Sequence, residues 1–127
     1  MYLSIDLSQK DQILLQLFDD NTLEKRNVSG LNRDLLAAVA DFLQAQDLRP
    51  LDIHGIVVVV GSGSFTSTRL ATTVANAFAF VLHIPLLAIT VADTLDPRAL
   101  IPRLLAQPPE QYISATYSGE PNIRLKV

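Results

Sequence analysis

Ile56-Val57-Val58-Val59-Val60-Gly61-Ser62-Gly63-Ser64-Phe65 is the stretch that decides the fold: an apolar run, a glycine turn, and the start of a helix that reads on to Leu82. Consecutive β-branched residues cannot all hide on one face of a strand, so this strand is expected to be buried on both faces, in the middle of a sheet with parallel neighbours. Gly61 and Gly63 let the backbone turn sharply, and the free N–H groups at the start of the helix offer an anion site in principle. The plainer reading is a tight strand-to-helix turn capped by Ser64 or Thr66.

The loop fails the tests for three well-defined chemistries. A dinucleotide fingerprint needs a third glycine where Thr66 stands and an acidic residue some twenty positions on, where the chain is apolar. A nucleoside-triphosphate loop needs Gly-Lys-Ser/Thr, and no lysine lies between Lys25 and Lys126. An esterase elbow needs glycines two before and two after its serine; Ser64 has Ser62 and Thr66 there, and Ser62 has Val60 and Ser64.

Upstream of the loop, Tyr2 to Leu7, Asp11 to Asp19 and Thr22 to Ser29 read as strands. Asp19-Asp20-Asn21 makes the turn of an antiparallel meander. Asn32 is the expected N-cap of a helix to Gln46, with Leu35, Leu36, Val39, Phe42 and Leu43 as its apolar stripe. Downstream, Leu86 to Val91 reads as a strand and Asp96-Pro97-Arg98 opens a last helix that ends before Pro108-Pro109. The expected fold is therefore α/β: one RNase-H-like lobe over residues 1–107, with a mixed five-stranded sheet of three antiparallel strands followed by β-α-β-α, then a linker and tail over 108–127.

Composition narrows the function classes. The chain has 127 residues, 49% of them hydrophobic, enough for one core without staples, and no cysteine, which removes disulfides, thiolate ligands and a cysteine nucleophile. The start lacks a basic region and a long apolar segment, so it does not read as a signal peptide, and a cytoplasmic location is expected. A net charge of -3 with scattered bases offers no basic stripe for gripping nucleic acid directly. Leu70 to Ala92 is uncharged with His83 neutral, but Asn76, the threonines and the change of pattern at Ile84-Pro85 argue against a membrane span.

The loop also resembles the run Gly-Pro-Gly-Ser-Phe-Thr-Gly-x-Arg of the TsaB family. The chain agrees at Gly61, Gly63, Ser64, Phe65, Thr66 and Arg69 and departs at Ser62 and Ser67. The ending is similar too: Tyr117, a short charged stretch, Pro121-Asn122-Ile123 and Arg124-Leu125-Lys126 resemble the tail of many TsaB chains. The resemblance covers about residues 1–92 and 112–127, and the tail follows the first lobe almost at once, as in a minimal form without the second lobe. It implies the actin-like ATPase fold of the glycoprotease relatives. The implied function is that of a non-catalytic subunit, working with a TsaD-like catalytic partner on threonylcarbamoyladenosine in tRNA. A homodimer and a TsaE-like ATPase in the same complex are further implied partners, with tRNA met only indirectly. TsaB chains often carry a histidine at the start of the first helix and a proline one and a half turns on, where this chain has Leu31 and Ala37.

Chemistry of the chain's own is thinly supported. In ATPases of this superfamily the first strand delivers an aspartate to metal and phosphate, and Asp6 stands at that place, but Leu7 and Gln9 replace the small or hydroxyl residues that let phosphate approach. A nucleotide-binding lobe using Asp6 with Gly61, Gly63 and Ser64 is the alternative reading. Taken alone, Asp6 is a turn cap. His54 and His83 lie at no metal-ligand spacing, and Ser64, His83 and Asp93 lack the geometry by which a triad is recognised. No cofactor, metal or catalytic residue is expected.

The helix from Phe65 yields the expected interface. At 100° per residue Leu70, Val74, Ala77, Phe78 and Val81 share one arc, assigned to the sheet. The other side then presents Thr68, Ala71, Thr72, Ala75, Ala79 and Leu82, a stripe of small residues expected to meet a partner helix.

Overall fold

The computed structural model describes residues 1–60, 65–90 and 96–108, without the side chain of Phe65. Five strands form one mixed sheet in the order β3-β2-β1-β4-β5. They are β1 (Tyr2–Asp6), β2 (Gln12–Phe18), β3 (Leu23–Ser29), β4 (Ile56–Val59) and β5 (Leu86–Ile89). β1 and β2 run antiparallel with Leu3 opposite Leu17, as do β2 and β3 with Leu15 opposite Arg26. β4 lies parallel to β1 on one side, with Ser4 opposite Val57, and parallel to β5 on the other, with Val57 opposite Leu87. The valine run is thus an interior strand buried on both faces, as its composition dictates, although β1 is the geometric centre.

Alternation along the strands makes two cores. Leu3, Ile5, Leu15, Leu17, Ile56 and Val58 point to one face, under α1 (Leu35–Ala45) and α2 (Phe65–Leu82). Phe18, Val57, Val59, Leu87 and Ile89 point to the other, under a 3-10 turn (Pro97–Leu100) and α3 (Ile101–Leu105). The turn from β2 to β3 is held as its acidic sequence requires: Asp19 Oδ1 accepts the N–H groups of Asn21 and Thr22, both at 2.8 Å, and the Thr22 hydroxyl at 2.9 Å.

Three details differ from the sequence reading. Asn32 does not cap the first helix; it begins a 3-10 turn (Asn32–Asp34), and Asp34 Oδ2 reaches back to the Leu31 N–H at 2.8 Å. Leu36 leaves the apolar stripe of α1 for solvent, at 60% exposure, while Leu35, Val39, Phe42 and Leu43 are buried. The last helix is shorter than expected because Pro97 and Pro102 divide it into the 3-10 turn and the five residues of α3.

Gly55, just before β4, is required by a close approach. A Cβ there would stand 2.7 Å from Leu104 Cδ2 and 3.0 Å from Tyr2 Cδ1, and Leu104 is fully buried. Gly55→Ala is therefore expected to lower stability by about 1–3 kcal/mol through overpacking, read as a lower urea midpoint at unchanged slope.

Three surface carboxylates hold turns together. The Asn21 N–H chiefly lowers the Asp19 pKa, the Arg49 N–H that of Asp52, and the Arg98 guanidinium that of Asp96. Because each is depressed in the folded chain, its contribution is present above the unfolded aspartate pKa, about 3.9, and lost as pH falls through the lower folded value. The melting temperature should stay level from neutrality to about pH 5 and fall below about pH 4. A flat profile down to pH 2.5 would contradict this.

Candidate functional site

The small-residue stripe of α2 lies against the sheet. Ala71, Ala75 and Ala79 are fully buried, and Thr68 and Thr72 nearly so, with Leu82 partly covered. This corrects the expected orientation of the helix, and in the folded chain the buried members of the stripe are not available to a partner. The physical reason is the sheet beneath. β4 presents bulky β-branched side chains, and small residues on the helix let the two backbones approach closely; size is supplied from below. The threonines fit because Thr72 Oγ1 donates to the Thr68 carbonyl one turn back, at 2.8 Å, leaving its methyl for the core.

The solvent side of α2 is the arc of Arg69, Thr73, Ala77, Phe80 and Val81, with Phe80 57% and Val81 71% exposed. Of the arc assigned to the sheet, only Val74 is buried; Leu70 and Phe78 are half-buried, and Ala77 and Val81 are exposed. Beside α2, on the same face of the sheet, α1 turns Leu36, Ala37, Ala40, Asp41, Gln44 and Ala45 outward. The starts of the two helices are tied by the Ser67 hydroxyl donating to Asn32 Oδ1 at 3.1 Å. From Leu36 to Ala45 the outward residues include one charge, Asp41, and on α2 from Arg69 to Val81 one more, Arg69. A solvated helix face normally carries more. Apolar side chains larger than alanine, Leu36, Phe80 and Val81, are thus exposed on the two helices.

Asp6 closes β1 and is buried. Its Oδ1 accepts the Ser8 N–H at 2.8 Å, the Asx-turn arrangement of a cap. Beside it on the same face of the sheet, Ser4 and Gln16 are also buried and stand opposite each other, and Gln16 Oε1 has no hydrogen-bond partner among the described residues. Gly61, Gly63 and Ser64 lie outside the described residues, as do Asp93 and the tail from Tyr112. His54 Nδ1 sits 3.2 Å from the Met1 amino group, and His83 takes the left-handed conformation, φ 54°, just past the end of α2. Among the described residues no three His, Asp or Glu side chains converge as metal ligands, and no helix is long and apolar enough to cross a membrane.

Comparison with known proteins adds an independent line. The family model described as TsaD: tRNA N6-adenosine threonylcarbamoyltransferase matches residues 30–119, from the start of the first helix into the tail. The tRNA threonylcarbamoyladenosine biosynthesis protein TsaB of Bacillus subtilis (strain 168) is 33% identical over 93 residues, taking in 73% of this chain and 38% of that one. YeaZ from Pseudomonas aeruginosa superposes with a TM-score of 0.67 at 26% identity, over 79% of this chain and 49% of that one. An uncharacterized protein with similarity to peptidase YEAZ from Pseudomonas aeruginosa gives 0.66 and 26%, over 79% and 48%. The chain spans less than half the length of each of these relatives.

Proposed function

We infer that this chain, which belongs to the TsaB family of tRNA threonylcarbamoyladenosine biosynthesis proteins, serves that modification as a non-catalytic subunit. Its partner is a TsaD-like catalytic subunit, docked on the outer face of α1 and α2. The observation that carries the reading is the weakly charged surface of Leu36, Ala37, Ala40, Ala77, Phe80 and Val81. It has the character of an interface core, depleted in charge and supplied with an aromatic side chain. The engagement of Asp6 by its own turn supports a supporting rather than a phosphoryl-handling role.

The same face suits a second copy of the chain when the partner is absent, and a TsaE-like ATPase would join through the assembled pair. The tRNA is then met through the catalytic subunit, since this chain, at net charge -3, presents no basic stripe of its own. The test is co-purification of the tagged chain from its source cell. A TsaD-like subunit retained in stoichiometric amount is the expected result; recovery of the chain without it sinks the reading.

A further inference from the structure

We propose that Ser67 is a positioning residue for the partner surface: by holding Asn32, its hydroxyl sets the start of α1 against α2 before the partner arrives. The inference rests on the docking role proposed above. Ser67 Oγ donates to Asn32 Oδ1 at 3.1 Å across 35 residues of sequence, and Ser67 is buried while Asn32 is half-buried, so water competes weakly for the bond. The run that this stretch resembles has glycine at position 67, with no hydroxyl to give.

The bond joins the points from which the two outer faces begin. Asn32 opens the 3-10 turn that passes directly into α1, with Leu36 and Ala37 following closely, and Ser67 stands in the first turn of α2, just before Arg69. Beneath, the helices rest on the sheet through apolar side chains: Leu35, Val39 and Phe42 from α1, and Ala71, Ala75 and Ala79 from α2. Such contacts are non-directional; they hold a helix down without fixing how far it slides or rolls beside its neighbour. The directional contacts of α1 point elsewhere. Asp34 Oδ2 closes the leading turn on itself through the Leu31 N–H, and Arg26 lies over the Phe42 ring, 5.1 Å from its centroid, tying α1 to β3. The Ser67 bond reaches α2. A single hydrogen bond of this kind favours the tied arrangement about threefold to tenfold, and a surface held ready loses less freedom on binding.

The test is a double-mutant cycle in the full chain. Ser67→Ala, Asn32→Ala and the double variant are each sedimented with the TsaD-like subunit of the source cell, with Val81→Arg alongside. Each single change should weaken association about threefold to tenfold, and the double variant no more than either, because the second change removes a bond already lost. Amide NMR of the variants alone should show the same displaced Leu36 and Ala37 signals in all three, with Leu104 on α3 unmoved. A side chain that served folding only would lower the melting temperature and leave the affinity of the folded chain unchanged. Parental affinity in both single variants, or losses that add in the double one, would overturn the inference and leave the docking role standing. A parental chain that does not associate, or associates equally well as Val81→Arg, would remove the docking role and this inference with it.

Discussion

Ala75→Arg is expected to leave no folded chain at 25 °C. Ala75 is fully buried between α2 and the sheet, in the cluster that holds Leu3, Ile5, Ile56 and Val58. A guanidinium there would be desolvated with no carboxylate described in that cluster to pair with, at several kcal/mol, and its bulk would add about 1–3 kcal/mol of overpacking. A domain of this size holds roughly 5–15 kcal/mol in all. Far- and near-UV circular dichroism should show the loss, and Ala75→Gly should cost only about 1 kcal/mol from helix propensity. If the arginine variant melts within about 1 kcal/mol of the parent, Ala75 does not face the sheet. Binding defects in Ala75→Arg would report unfolding and say nothing about a partner.

That substitution also shows where the sequence was legible. The mixed five-stranded sheet followed from the order of strands and helices along the chain, and the two-sided burial of β4 from Ile56 to Val60, because a run of β-branched residues has few ways to be satisfied. The β2–β3 hairpin followed from Asp19-Asp20-Asn21, a local interaction visible without tertiary context. The orientation of α2 did not follow. Its apolar residues occur nearly all round, so periodicity picks out no single face, and assigning the larger side chains Leu70, Phe78 and Val81 to the core assumed that the helix supplies the bulk. Here the strands supply it, and the complement of a large-residue sheet is a small-residue helix. The 3-10 turn closed by Asp34 on the Leu31 N–H where Asn32 was expected to cap a helix, and the outward turn of Leu36, are of the same kind: each depends on where the 3-10 turn sets the phase of α1.

The candidate surface was legible in part. The helix from Phe65 was expected to meet a partner, and it does present a weakly charged outer face, but on the opposite side from the one the wheel suggested. The cue that could have located it is Val81. It is a β-branched residue of modest helix propensity, 71% exposed in the last turn of α2.

Val81→Arg should therefore abolish assembly with a TsaD-like subunit and leave the lobe folded. Val81 is 71% exposed, so its replacement should shift stability by no more than about 0.5 kcal/mol in either direction. At the centre of an apolar interface the same arginine must be desolvated without a partner, at about 2–5 kcal/mol, or roughly thirty- to several-thousandfold in affinity. Ala77→Arg, one turn away on the same arc, should behave alike by steric exclusion, and Lys25→Glu on β3, away from both helices, should not. Sedimentation of the mixed subunits separates these outcomes, with the melting temperature of each variant measured alone to show that it is folded. Complex formation at parental affinity by a folded Val81→Arg chain would mean that the outer face of α2 is not where the partner sits, and the family's supporting role would then have to be built on another surface.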